Sequence, residues 1–431
     1  MISTLGVGAK VRFIPGEFMA MQWFRTVYYG WYVVAGAFMV MLLGFACAYS
    51  YATFFPELEK EFAASRARIS SVFSIAGVLY FSLGAISGSL SDRFGPRWVC
   101  IFGLGVLGVG LAAAGLADSL HAVYLGFGVG VGVGIGFSYV PAIGAVQPWF
   151  TTHRGFASGL AVSGIGLGTL LGPVIATVLI GELGWRLSFV TMGVAAAFAG
   201  AAASLLLDND PSRYPDAVEA EKGGPDTAHS GLYLSQAVRT GPFWFLFLSW
   251  LSLSFAIFIP FVHLVPYALD HGISPGDAAL VLGVVGVGST LGRFLVSPVA
   301  DRFGRLFVMG LCFAGVASML VIWLVATSYV SLLAFGLLFG ICYGGFVALA
   351  PAVAVDYFGT RAVGAVIGVL YSGVGVGTFF GPPFAGYVFD LYGSYQAAIV
   401  TAAGTAVLAI VFLMLMPSVT RWQNLAKQYT T

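Results

Sequence analysis

Arg293 is the one Lys, Arg, Asp or Glu that lies well inside a long apolar stretch of this chain. Its neighbours over Leu280–Pro298 are Leu, Val, Gly, Ser, Thr, Phe and Pro. Burying a guanidinium in hydrocarbon costs roughly 3 kcal/mol on insertion scales, and arginine does not shed its proton to escape that cost. A cation so placed is expected to face a wet cavity and meet an anion; the competing use is a tie to backbone carbonyls. It lies about 12 Å by helical rise from Asp301, too deep for easy snorkelling. Ser289, one turn earlier on the same face, can hydrogen-bond the guanidinium or its ligand, or bond back to its own helix. His263 is the other His, Asp, Glu, Lys or Arg well inside such a stretch. Imidazole suits proton exchange near neutrality, and Pro260 and Pro266 loosen the helix around it. A plain hydrogen bond near the membrane surface is the rival reading.

These residues need helices to hold them, and the composition supplies little else. Of 431 residues, 59% are hydrophobic and 9% charged, with net charge +1. Soluble domains carry about 25% charged residues, so the chain is expected to be an all-α polytopic membrane protein. Near-zero net charge argues against a nucleic-acid partner. Cys47, Cys100, Cys312 and Cys342 lie in or beside apolar stretches without a CxxC or Cys/His pattern, so neither a metal site nor a disulfide framework is expected. No cofactor is implied.

A crossing helix needs about 20 apolar residues. Twelve stretches qualify: 31–55, 70–91, 98–117, 121–148, 155–180 and 187–207, then 242–268, 277–299, 306–327, 329–354, 362–388 and 395–416. The chain therefore divides into a cytoplasmic N-terminal segment (1–29), a six-helix bundle (30–207), a cytoplasmic linker (208–240), a second six-helix bundle (241–416) and a cytoplasmic tail (417–431). With both termini inside, every Lys and Arg falls on the cytoplasmic side except Lys60, Arg66, Arg68, Arg186 and the intramembrane Arg293. That asymmetry sets the orientation. The first 29 residues do not read as a signal peptide, and Met19 or Met21 can be later starts.

The halves repeat. Ser91-Asp92-Arg93-Phe94-Gly95 recurs as Ala300-Asp301-Arg302-Phe303-Gly304, 209 residues later. The glycines from Gly155 to Gly172, with Pro173, return at the same offset as those from Gly364 to Gly381, with Pro382. Such a duplication predicts two bundles related by a pseudo-twofold axis, with a binding site between them. The Gly126–Gly136 stretch (GFGVGVGVGIG) contains superficial dinucleotide fingerprints, but it has no acidic residue at the required distance. Small-residue helix packing is expected instead.

The turn Gly88-Ser89-Leu90-Ser91-Asp92-Arg93-Phe94-Gly95-Pro96-Arg97 resembles the loop signature of the major facilitator superfamily. The resemblance implies that superfamily's twelve-helix fold. It makes Gly88, Asp92, Arg93, Gly95 and Arg97, with Asp301 and Arg302 in the degenerate copy, a conformational latch. Gly30-Trp31-Tyr32-Val33-Val34, Phe54–Phe62, Arg154–Ala161 and Gly184-Trp185-Arg186-Leu187-Ser188-Phe189 are similar to the monocarboxylate transporter family, specifically its bacterial branch, over residues 30–416.

That resemblance implies a functional monomer in a bacterial inner membrane, moving small monocarboxylate anions such as lactate or pyruvate, often with protons. It implies that Arg293 binds the substrate carboxylate. The family's animal members carry an aspartate one turn before that arginine and a lysine in the first span; this chain has Ser289 and, near the lysine position, Tyr49. In the implied fold Tyr49, Tyr139, Tyr343 and Tyr371 lie on cavity-lining spans, where phenols orient a carboxylate while their rings pack the carbon skeleton. His263 is the candidate for proton coupling. Exchange of oxalate-like dianions requires a second cation, which span 11 lacks, and drug–proton antiport favours a buried acid, absent from spans 1, 4 and 5. A non-transporting receptor would have no use for Arg293, and no nucleophile–base pair points to an enzyme.

Overall fold

The computed structural model describes residues 28–150, 154–214, 231–419 and 421–422. The N-terminal segment up to residue 27, the middle of the linker and most of the tail therefore lie outside the described residues. What is described is helical, and an isolated bridge between Gly231 and Gly359 is its nearest approach to a sheet.

Ten helices are long and apolar enough to cross a membrane on their own, and the pair Arg66–Ser82 and Ile86–Phe94, bent by 53°, adds another. The 51-residue helix Arg154–Ser204 counts twice, because Gly184 (φ 73, ψ 162) breaks it into two crossings. The twelve crossings are α1 (Gly30–Phe62), α2 (Arg66–Ser82 continued by Gly84–Phe94), α3 (Pro96–Gly115), α4 (Leu120–Trp149), α5 (154–183), α6 (185–204), α7 (Gly241–Asp270), α8 (Pro275–Phe303), α9 (Arg305–Trp323), α10 (Tyr329–Phe358), α11 (Val363–Tyr392) and α12 (Gln396–Met414). All-helical spans follow from the medium, since hydrocarbon leaves every backbone group to be satisfied within its own segment. Large apolar side chains such as Val109, Phe198, Val325 and Met414 stay exposed on the outside of the bundle, where lipid would cover them.

Gly184 occupies backbone space that only glycine enters without strain, and a Cβ there would meet nothing within 4 Å. Gly184→Ala is therefore expected to destabilise the protein through the backbone alone, by about 1–3 kcal/mol. A lowered melting temperature of the solubilised protein checks this. An unchanged one would show that the α5–α6 turn does not need that conformation.

The duplicated turns are duplicated in shape. Gly95 (φ 83) and Gly304 (φ 97) each end a helix and start the next. The membrane face carrying these turns is called the inner face below, and the opposite one the outer face. The halves meet along two symmetry-related seams, α5 against α8 and α2 against α11. Gly286 packs on Gly166 and Thr169, and Gly77 packs on Thr378. Each residue of the second pair is the 209-residue counterpart of one in the first. The glycines at 126, 130, 132 and 134 pack against the backbones of Gly110, Ala76, Gly103 and Leu107. Helix packing, not a nucleotide, explains that stretch.

Candidate functional site

Arg293 sits ten residues from the inner end of α8, about 15 Å by helical rise, which is near the middle of a roughly 30 Å core. It is 6% exposed. One terminal nitrogen, Nη1, donates to the Val162 carbonyl of α5 at 3.3 Å, tying the second half to the first. Nε and the other terminal nitrogen are buried without a hydrogen-bond partner. Among the described residues the other buried charges, Arg66 and Asp208, are both in ion pairs; no ion pair reaches Arg293. An unpaired buried cation is expensive. Arg293 lines a cavity of about 40 Å³ between the halves.

Aromatic side chains wall that cavity. Tyr49, Tyr139, Tyr343 and Tyr371, each expected from the sequence, all line it with Arg293. Tyr49 ends the first segment of α1, where Ser50 separates Gly30–Tyr49 from Tyr51–Phe62. Its ring stacks on Phe261 at 4.6 Å, and Phe261 meets Tyr343 edge-on at 5.2 Å. Phe45 lies edge-on to both Tyr80 and Tyr139. Tyr80 was not singled out by the sequence reading. It lines the same cavity, and its hydroxyl is buried without a partner, as is that of Ser254.

Two expected residues lie elsewhere. Ser289 is buried against Gly344 of α10, its Oγ without a hydrogen-bond partner, and it is not part of the cavity wall. Its 209-residue counterpart is Tyr80, which is. His263 is fully buried nearer the outer end of α7, bonded to Tyr395 and to the Pro382 carbonyl.

Toward the inner face the cavity continues past Tyr80, Phe81, Tyr139 and Tyr371 into a vestibule of about 670 Å³. Gly88, Asp92, Gln147 and Pro351 form part of its wall. Asp92 and Arg93 of the signature turn are exposed there. Arg97 Nε donates to the Leu207 carbonyl at 3.3 Å, with a terminal nitrogen 3.9 Å from Asp208. In the copy, Arg305 pairs with Asp301 at 3.3 Å and Asp356 at 2.9 Å, while Arg302 lies over the Phe303 ring. Each of these pairs stays within its own half.

The outer face is bridged between halves. Arg66, at the start of α2, holds the Asp270 carboxylate of α7 with two nitrogens at 2.6 and 2.9 Å. It also bonds Glu59 at 3.2 Å and the Tyr395 hydroxyl at 2.8 Å. Asp390 of α11 accepts from the backbone N–H groups of Arg66 and Ala67, which places a carboxylate at the positive end of a helix. The structure is therefore closed outside and open inside.

A buried cation at the midplane, between two repeated bundles that open to one face, describes a carrier. The sequence model of the Major Facilitator Superfamily matches residues 34–274 and 251–429. The chain belongs to that superfamily. As a Major Facilitator protein it is a multi-pass membrane transporter rather than an enzyme. It is 28% identical over 390 residues to monocarboxylate transporter 13 of Bos taurus, covering 88% of each chain. It is 27% identical over 412 residues to monocarboxylate transporter 12 of Xenopus laevis, covering 91% of this chain and 90% of that one. The transporter asaE of Aspergillus flavus is 27% identical over 362 residues, covering 83% and 79%. Among solved structures, a bacterial homologue of the human lysosomal transporter Spinster superposes with TM-score 0.65 at 18% identity, over 94% of this chain and 98% of that one. That likeness is one of fold.

Proposed function

We propose that this Major Facilitator transporter carries small organic monocarboxylates by alternating access, bound as anions at Arg293. One observation carries the reading: a buried guanidinium with two nitrogens unpartnered, facing an aromatic cavity between the halves. A carboxylate accepts from such a fork with both oxygens, and one negative charge leaves the occupied cavity neutral, which lowers the cost of rocking it through the bilayer. Among the described residues no second Lys or Arg lines the cavity, so a dicarboxylate would keep an uncompensated charge. The names of the animal relatives point the same way.

This reading includes the finer points that the residue pattern supports. Tyr49, Tyr139, Tyr343 and Tyr371, now with Tyr80, orient the substrate. The signature turns Gly88–Arg97 and Asp301–Arg302 act as the inner latch. The protein works as a monomer with both termini in the cytoplasm of a bacterium, and it couples transport to protons. Uptake of radiolabelled lactate into proteoliposomes tests the substrate class. Short-chain and aromatic monocarboxylates are expected to compete, while their amides and the matching dicarboxylates do not. Equal competition by the amides would sink the anion site. Accumulation indifferent to an imposed pH gradient would remove the proton.

A further inference from the structure

We propose that His263 is a proton-binding site whose occupancy unlocks the outer face of the carrier. The argument starts from what its two ring nitrogens touch. A carbonyl oxygen only accepts, so Nε2, 2.8 Å from the Pro382 carbonyl, carries a hydrogen and donates it. Nδ1 lies 3.0 Å from the Tyr395 hydroxyl. That hydroxyl already accepts from Arg66 at 2.8 Å, and Arg66 holds Asp270 with two nitrogens. The directions then fix themselves: Arg66 donates to Tyr395, Tyr395 donates to Nδ1, and Nε2–H donates to Pro382. The closed outer face contains a neutral histidine with both nitrogens satisfied, at the end of a chain that begins on the cross-half ion pair.

A proton from the outer solution adds to the Nδ1 lone pair and forms an N–H bond. Tyr395 then has nothing to donate to and must accept from both cations, leaving its own O–H unpaired in a buried place. The imidazolium also faces the guanidinium of Arg66 across a single phenol oxygen. The charged neighbours are Arg66 from α2, Asp390 from α11, Glu59 from α1 and Asp270 on its own helix. Arg66 itself, or its backbone, already engages all three carboxylates. The edge of Phe55, 5.5 Å from the ring, offers no acceptor. The protonated histidine is accommodated only if the outer seam parts and water reaches Tyr395. The closed state therefore excludes the proton, and external acid favours the open one.

This rests on the reading of the chain as an alternating-access carrier. Its test uses no substrate, so it stands or falls apart from the anchor role of Arg293. Cysteines placed at exposed Lys60 and Gly276, on opposite sides of the outer mouth in a cysteine-free background, carry spin labels for pulsed distance measurement. Going from about pH 8 to about pH 5, the ratio of long to short distances is expected to rise by about tenfold, the equivalent of one unit of pKa difference between the states. In His263→Gln, whose amide can still donate to Pro382 and accept from Tyr395, the ratio is expected to stay flat. A wild-type distribution that ignores pH overturns the proposal. So does a response that survives in His263→Gln, which would assign it to the carboxylates.

Discussion

Arg293→Gln is expected to abolish saturable uptake and, at the same time, to raise the melting temperature of the protein. The two halves of this outcome come from one physical fact. The guanidinium is 6% exposed, bonded once, to the Val162 carbonyl, and otherwise unpartnered. An unpaired buried charge costs several kcal/mol of stability, which a shorter, neutral amide does not incur. Removing the cation from a desolvated charge pair typically costs 2–5 kcal/mol of binding, or about 30-fold to several thousandfold in affinity. Arg293→Lys keeps the charge but presents a compact ammonium in place of the planar fork. It is expected to bind about tenfold or more weakly and to retain some uptake. Uptake in proteoliposomes and melting temperature, with and without lactate, read both effects. If Arg293→Gln instead lowers the melting temperature while uptake stays near normal, the residue is a structural tie to α5.

The sequence shows Arg293 so plainly because its signal is one of cost, and cost is local: a charge among Leu, Val and Gly needs no partner on the page to be conspicuous. Tyr49, Tyr139, Tyr343 and Tyr371 were legible for a different reason, as hydroxyls on spans that a repeated twelve-helix fold turns inward. Tyr80 was missed, although the repeat pointed to it. Position 84 is the counterpart of Arg293 and position 80 that of Ser289. The informative position one turn before the arginine is its counterpart in the other half: the Ser289 backbone packs on Gly344, while Tyr80 lines the cavity.

His263 and the outer bridge mark the other limit. Arg66 could be placed outside from charge asymmetry, but its partners Asp270 and Asp390 are 204 and 324 residues away, and no spacing rule reaches that far. His263 likewise shows its proline neighbours in sequence but not Tyr395, 132 residues on. The Arg66 pairings exist only once the halves have closed, and the His263–Tyr395 pair only once α7 has packed against the turn before α12.

Gly286→Val is expected to hold the carrier out of its inward-open state and to stop transport, and here the repeat makes a sharper prediction than either half alone. In the closed outer seam a Cβ on Gly286 would run into the Gly166 carbonyl oxygen and lie 2.7 Å from the Thr169 Cβ. The carbonyl is backbone within α5 and cannot turn aside, so α5 and α8 must separate. Overpacking costs about 1–3 kcal/mol where a core can adjust, and this contact adjusts less. The inward-open population is therefore expected to fall by at least about tenfold. The symmetry-related Gly77→Val meets the Thr378 side chain instead, its Cβ 3.3 Å away, and a side chain can be cut back. Adding Thr378→Ala to Gly77→Val is accordingly expected to restore transport, whereas adding Thr169→Ala to Gly286→Val is not. Maleimide labelling of a cysteine at Ile143, on the wall of the inner vestibule, reports the conformation directly. Its rate should drop in Gly286→Val and recover only in the Gly77 double variant. Equal labelling in all four would mean that the glycine seams pack the halves without governing which face is open.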